Sequence, residues 1–107
     1  MRDLREQGRI ILAHGEVTGH CHEVVDAETC ALPPAQFFEE PDGRRVLLVE
    51  RPCLLRHQEH APIALDPAKP VQWRQGDVLG QPIGPGTWAI VRQQEWAGPA
   101  AWRQVMD

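Results

Sequence analysis

Apolar residues come in bursts of roughly four to eight, and no stretch carries the period of a long amphipathic helix. Ten prolines and nine glycines cut these bursts apart. Short runs rich in Val, Ile and Leu with that punctuation predict β-strands. The runs fall at residues 9–14, 16–26, 36–39, 45–50, 53–57 and 87–94, with further strand candidates at 71–73 and 78–79. Pro41-Asp42-Gly43 predicts a turn that joins 36–39 to 45–50, because proline pre-sets φ and glycine accepts the left-handed position. Within 87–94, alternation puts Trp88, Ile90 and Arg92 on one face and Thr87, Ala89 and Val91 on the other. Residues 62–85 read as loop-rich. At the end, residues 98–106 predict a short helix, with Pro99 in the first turn, where its missing N–H costs nothing. The fold class is all-β: a small barrel or sandwich spanning residues 1–107 as one domain, with a short C-terminal helix.

Charge narrows the partners. The formal net charge is −4, and the arginines are spread from Arg2 to Arg103 rather than clustered. Nucleic-acid binding is not indicated, since it leaves a basic footprint. No apolar run approaches the roughly 20 residues that span a bilayer, and the first residues lack the apolar region of a signal peptide. No membrane association is expected. Cys21, Cys30 and Cys53 contain no C-x-x-C pair, which predicts reduced thiols and a cytoplasmic location. Open strand edges and four tryptophans suggest a homodimer.

The chemistry concentrates in His20-Cys21-His22 and His57-Gln58-Glu59-His60. On an unbroken strand His20 and His22 share a face, with Cys21 opposite and His14 and Glu16 further along the histidine face. A strand ending at His57, followed by a tight turn through Gln58-Glu59, would return His60 to the same side. Ala61 precedes Pro62 and is pushed toward extended backbone. Whether the two pairs meet stays open at this point. Metals are what usually gather imidazoles, so His20, His22, His57 and His60 are the candidate ligands. Neutral imidazoles, with Glu59 or Glu16 in reserve, suit zinc, iron, nickel or copper rather than calcium or magnesium. Hydrogen-bonded histidines without a metal are the alternative.

Elsewhere the expectations are structural. Cys30 and Cys53 read as small buried hydrophobes, Trp88 and Trp96 as core or interface residues, and Glu23, Asp26 and Glu28 as a solvated face. The chain carries no G-x-S-x-G, no H-E-x-x-H and no glycine-rich phosphate loop, which weighs against an enzyme. If it is one, Glu59 or Glu16 is the general base expected beside a metal-bound water.

Two resemblances bear on this. Gly15-Glu-Val-Thr-Gly-His-Cys-His22 partly resembles the first cupin motif, and Pro82-Ile-Gly84 resembles part of the second, although no histidine follows it and Trp88 stands nearby. That implies a cupin-like barrel in which His57 or His60 replaces the missing third histidine. Gly15-Glu-Val-Thr-Gly-His20, His57-x-x-His60-Ala-Pro-Ile63 and Val91-Arg-Gln-Gln-Glu-Trp96 together are similar to a family of short, uncharacterised bacterial and phage proteins. This second resemblance implies that the three segments belong together and that residues 66–84 are an insertion. Three functions follow as expectations: a metal-binding protein without an assigned activity, a small cupin-type metalloenzyme of oxygen, isomerase or hydrolytic chemistry, and a metal-free interaction module using exposed tryptophans. No small-molecule ligand is identified.

Overall fold

The computed structural model describes residues 1–15 and 19–93. The helix expected at 98–106, Trp96 and Glu16 lie outside the described residues. Among the described residues ten strands form: β1 Arg2–Asp3, β2 Ile10–His14, β3 Cys21–Asp26, β4 Ala35–Glu39, β5 Arg45–Val49, β6 Cys53–His57, β7 His60–Leu65, β8 Trp73–Gln75, β9 Val78–Gly84 and β10 Thr87–Arg92. They pair antiparallel into two sheets, in the orders β1-β4-β5-β10-β9-β8 and β2-β3-β6-β7. Of the two architectures the pattern allowed, no closed barrel forms among the described residues. β1 and β8 end one sheet, and β2 and β7 end the other.

Alternation along the strands builds one core that draws on both sheets. Ile10, Leu12, Val24 and Leu55 enter it from the four-stranded sheet; Phe37, Leu47, Val49, Trp88 and Ile90 enter from the six-stranded one. Leu47 and Leu55 are fully buried, and each such side chain contributes about 1.5–3 kcal/mol of apolar transfer energy. Trp88 points inward as the alternation predicts and donates its indole N–H to the Val71 carbonyl at 2.8 Å. The expected 36–39 to 45–50 hairpin is the β4–β5 pair, closing on Glu39 opposite Arg45.

The stretch that reads as loop-rich holds three strands. The two prolines that fall inside these strands mark an edge and an irregularity, where a missing N–H breaks no ladder bond. Pro62 sits in β7, an edge strand, where the pairing with β6 slips register between Leu55 and His57. Pro82 sits in β9 opposite Trp88, where β10 slips register. β8 reaches only Val78 to Gly80 and leaves the Pro82 side free.

A second difference concerns β3. It begins at Cys21 rather than at residue 16, because Gly19 takes a φ of +86° and turns the chain. A side chain with Cβ rarely adopts that conformation. His20 therefore precedes the strand, and His20-Cys21-His22 is not the flat chelating pair that an unbroken strand would give.

Candidate functional site

From Cys21 onward β3 alternates as a strand should. Cys21 and Glu23 share one side, where Glu23 pairs with Arg9 at 3.0 Å and with Arg56 at 3.8 Å. Burial pushes the Cys21 thiol above its ordinary value, with the Glu23 charge adding to it. His22 faces the other way, and its side chain is only 4% exposed.

The β6–β7 hairpin delivers the second histidine pair. His57 lies opposite His60 across a two-residue turn of Gln58 and Glu59. Gln58, read from the sequence only as a turn residue, ties this turn to the start of β3. Its amide oxygen accepts the Cys21 N–H at 2.9 Å, and its amide nitrogen donates to the Gly19 carbonyl at 3.1 Å. The imidazoles consequently stand beside one another. Ring centroids are 4.3 Å apart for His22 and His57, 4.7 Å for His57 and His60, and 6.0 Å for both His20–His57 and His22–His60. Exposure rises across the group from buried His22 to exposed His60.

Hydrogen bonds decide which ring nitrogens hold protons. Gln75 donates from Nε2 to the Leu55 carbonyl at 3.3 Å and the Ala61 carbonyl at 3.0 Å. Those two bonds fix the amide, so the Gln75 oxygen, 2.8 Å from His22 Nδ1, must accept. His22 therefore carries a proton on Nδ1. His20 Nδ1 lies 2.7 Å from the Glu59 carboxylate, and a carboxylate only accepts, so His20 is protonated there too. His57 is arranged the opposite way: its Nδ1 accepts the Glu59 N–H at 3.0 Å. Burial lowers the His57 pKa, and the neighbouring His22 and His60 lower it further.

Two further residues belong to this corner. Asp77 Oδ1 stands 3.5 Å from His22 Nε2, and Arg92 donates from Nε to Asp77 Oδ2 at 2.8 Å. Arg92 also donates to the His14 carbonyl at 2.9 Å. His14 reaches the site only through that backbone link, since its ring pairs with Glu6 at 3.1 Å. Gln75 and Asp77 escaped the sequence reading because they lie in the stretch taken as loop. The available signal was Gln75-Gly76-Asp77-Val78, a two-residue Gly-Asp hairpin loop between short strand candidates. Gly76 has a φ of +60°, and a Cβ there would come within 3.0 Å of His60 Nε2 and 3.3 Å of His22 Cε1.

Other expectations are corrected. Asp26 is buried rather than part of a solvated face, and Cys30 is exposed rather than buried. Trp73 and Trp88 are both buried, so neither offers the exposed aromatic surface of the interaction-module reading. Pro82-Ile-Gly84 lies at the far end of β9 from Asp77, about 20 Å along an extended strand, so this half of the cupin resemblance does not adjoin the histidines. Among the described residues no three His, Cys, Asp or Glu side chains already hold their donor atoms as a metal ion requires. The rings pack against one another instead. Among the same residues no helix is long and apolar enough to cross a membrane.

Fold and site together define a class: an antiparallel two-sheet β protein with an imidazole-lined corner where the edges of its sheets meet. The chain belongs to the family described as Domain of unknown function (DUF8820), whose pattern matches residues 2–75. No curated protein and no solved structure matches it. All four of these histidines and Gln75 fall inside the matched span, while Asp77 and Arg92 lie beyond it.

Proposed function

We propose that the protein binds a divalent transition metal (zinc, iron, nickel or copper) through His20, His22, His57 and His60. The observation that carries this reading is the pair of hydrogen bonds that place the Nδ1 protons of His20 and His22 on Glu59 and Gln75. In their neutral forms both residues keep a lone pair on Nε2. Metal-ligating histidines are typically oriented in this way, with the second ring nitrogen donating to a carboxylate or carbonyl-type oxygen. Imidazoles must be neutral to ligate, and the lowered His57 pKa favours that state at neutral pH. His57 joins the ligands only by giving up its bond from the Glu59 N–H. Binding also requires the packed rings to turn toward a common point. His60, exposed at the start of an edge strand, and His20, whose side chain is 27% exposed, are free enough to do so. Glu59 is committed to orienting His20, which favours metal binding over catalysis as the role of this corner.

One observation favours a second, metal-free reading: the donor atoms do not converge as they stand. In that reading the histidines are hydrogen-bonded packing groups. Elemental analysis of untagged protein grown in metal-replete medium, followed by calorimetric zinc titration, separates the two. About one metal per chain, lost in His22→Ala, is expected if the site assembles on binding. Absence of binding in the parent overturns the metal reading and leaves the metal-free one.

A further inference from the structure

We infer that the outer face of the six-stranded sheet is a two-fold interface between two copies of this chain, in which Val91 meets its own copy and Glu40 meets the partner's Arg74. The inference is independent of the metal reading, because this face is turned away from the core.

The argument begins with alternation. Phe37, Leu47, Val78, Trp88 and Ile90 point into the core, so the residues between such positions point away from it. On an antiparallel sheet with one solvated face these outward positions are polar. Here Phe38, Val46 and Ala89 lie side by side in one cross-strand row. Val91 pairs with Leu79 in the next, and Leu48 pairs with Thr87 in a third. Ile83 faces the same way from β9. Only Gln36, Gln81 and Thr87 are polar among the outward positions of β4, β5, β9 and β10. Val91 is 42% exposed and Ile83 43%. The outer face of the four-stranded sheet differs, because there Glu23 pairs with Arg9 and Arg56. A contiguous apolar patch rimmed by polar groups marks an interaction surface.

Charge and symmetry name the occupant. The row that holds Val91 and Leu79 continues to exposed Arg74 on β8. At its other side it reaches Glu40, whose N–H donates to the Arg44 carbonyl at 2.8 Å just past the β4–β5 pairing. β10 is the middle strand of the run β4-β5-β10-β9-β8. Glu40 and Arg74 therefore stand on opposite sides of β10, each about 10 Å away at the usual strand spacing. A two-fold axis running along β10, between two facing sheets, sets each Glu40 on the partner's Arg74. It also sets Leu48 on the partner's Ile83 and keeps Val91 on the axis. Such an interface is isologous and closes at two copies. Arg44 donates from Nε to Glu40 Oε1 at 2.6 Å, and a carboxylate accepts from a second guanidinium as well. Arg74 is steadied by donating from Nε to the Gly76 carbonyl at 2.9 Å. The contact is face to face, so it uses neither the strand edges nor the tryptophans from which a homodimer was expected.

Analytical ultracentrifugation of the full chain over a concentration series, with a chelator present, tests the assignment. The parent should show a monomer–dimer equilibrium. Val91→Asp sets two carboxylates against each other on the axis and should weaken it about 100-fold. Arg74→Glu should cost about 10-fold, and adding Glu40→Arg to that variant should recover most of the loss by rebuilding the pair in reverse. Arg56→Gln, on the outer face of the other sheet, should change nothing. Thermal melts establish that each variant is folded. A parent that is monomeric at every concentration overturns the proposal and leaves the face to another segment of this chain or to a different protein. A dimer that folded Val91→Asp leaves intact overturns it too, since the copies then meet elsewhere. If the reversed pair associates no better than Arg74→Glu alone, the two-fold arrangement along β10 is overturned.

Discussion

β3 begins beside His22 and ends on Asp26, and these two buried polar residues are treated differently by their surroundings. Asp26 Oδ1 accepts the N–H groups of Glu28 at 2.9 Å and Thr29 at 3.0 Å, and Oδ2 accepts from Arg51 at 2.9 Å. The Arg51 hydrogen bond, with the two backbone N–H groups, holds the Asp26 carboxyl well below the usual carboxylate range. Nearby, Cys53 donates its thiol to the Arg51 carbonyl, and burial pushes that thiol up to about 11. Everything at this end is answered from within the chain. At the other end His22 has one ring nitrogen satisfied and the other set against a carboxylate. Both ends are charged and dense, but only the His22 end gathers further imidazoles, with His57 at 4.3 Å and His60 at 6.0 Å between ring centroids. The kind of neighbour, rather than the density of polar residues, separates an end closed by an ion pair and turn N–H groups from one built on adjacent imidazoles.

The largest expected effect breaks the comparison at the His22 end. If the site binds zinc, free zinc at about 1,000 times its dissociation constant should stabilise the fold by about 4 kcal/mol. Scanning calorimetry should find that gain abolished in His22→Ala and kept in Asp26→Asn. Equal loss in both variants would mean that the two ends are not independent.

Next in size is Gln75→Leu. It leaves the Leu55 and Ala61 carbonyls and His22 Nδ1 without their partner. Metal-free protein should lose about 3 kcal/mol in urea denaturation, since each buried polar group left unpaired costs about 1–3 kcal/mol. A loss near zero would show that water replaces the amide.

The two ends should also respond to acid in separate windows. The folded pKa of His57 is lowered from 6.5, so below that value the unfolded chain binds more protons and stability falls with pH. Asp26 works lower: its depressed carboxyl contributes stability above the ordinary 3.8, which is lost as pH falls below it. Denaturant melts of metal-free protein between neutral and acid pH should show both limbs. His57→Gln should flatten the upper limb and Asp26→Asn the lower one. A single limb insensitive to either change would contradict this division.

Gln58→Ala should give the smallest effect on stability, about 0.5–1.5 kcal/mol. It removes both bonds that tie the β6–β7 turn to the start of β3. Its sharper signature should be in the His20 and His57 ring resonances, which should shift while the signals around Asp26 stay in place.

How legible all this was depends on the segment. The β4–β5 hairpin and the inward face of β10 followed from turn chemistry and alternation, both local properties. Residues 62–85 did not, because Pro62 and Pro82 are loop signals locally and edge or bulge residues once their neighbours are known. His20 was misplaced onto a strand because a glycine such as Gly19 permits a break in the register without requiring the left-handed conformation that it takes. The candidate histidines could be named from the sequence, but their company could not.

By itself, then, the sequence determined the all-β class, the inward face of β10 and the four imidazoles as the chemistry to watch, because residue type and period are written along the chain. The tertiary structure alone decided that two sheets form rather than a closed barrel. It also decided that Gln58 docks one histidine pair beside the other, and that Gln75 and Asp77 meet His22 from 53 and 55 residues away. The physical reason is that a ring nitrogen's proton, and so its capacity to take a ligand, depends on the acceptor folded against it. No local pattern encodes which acceptor that will be.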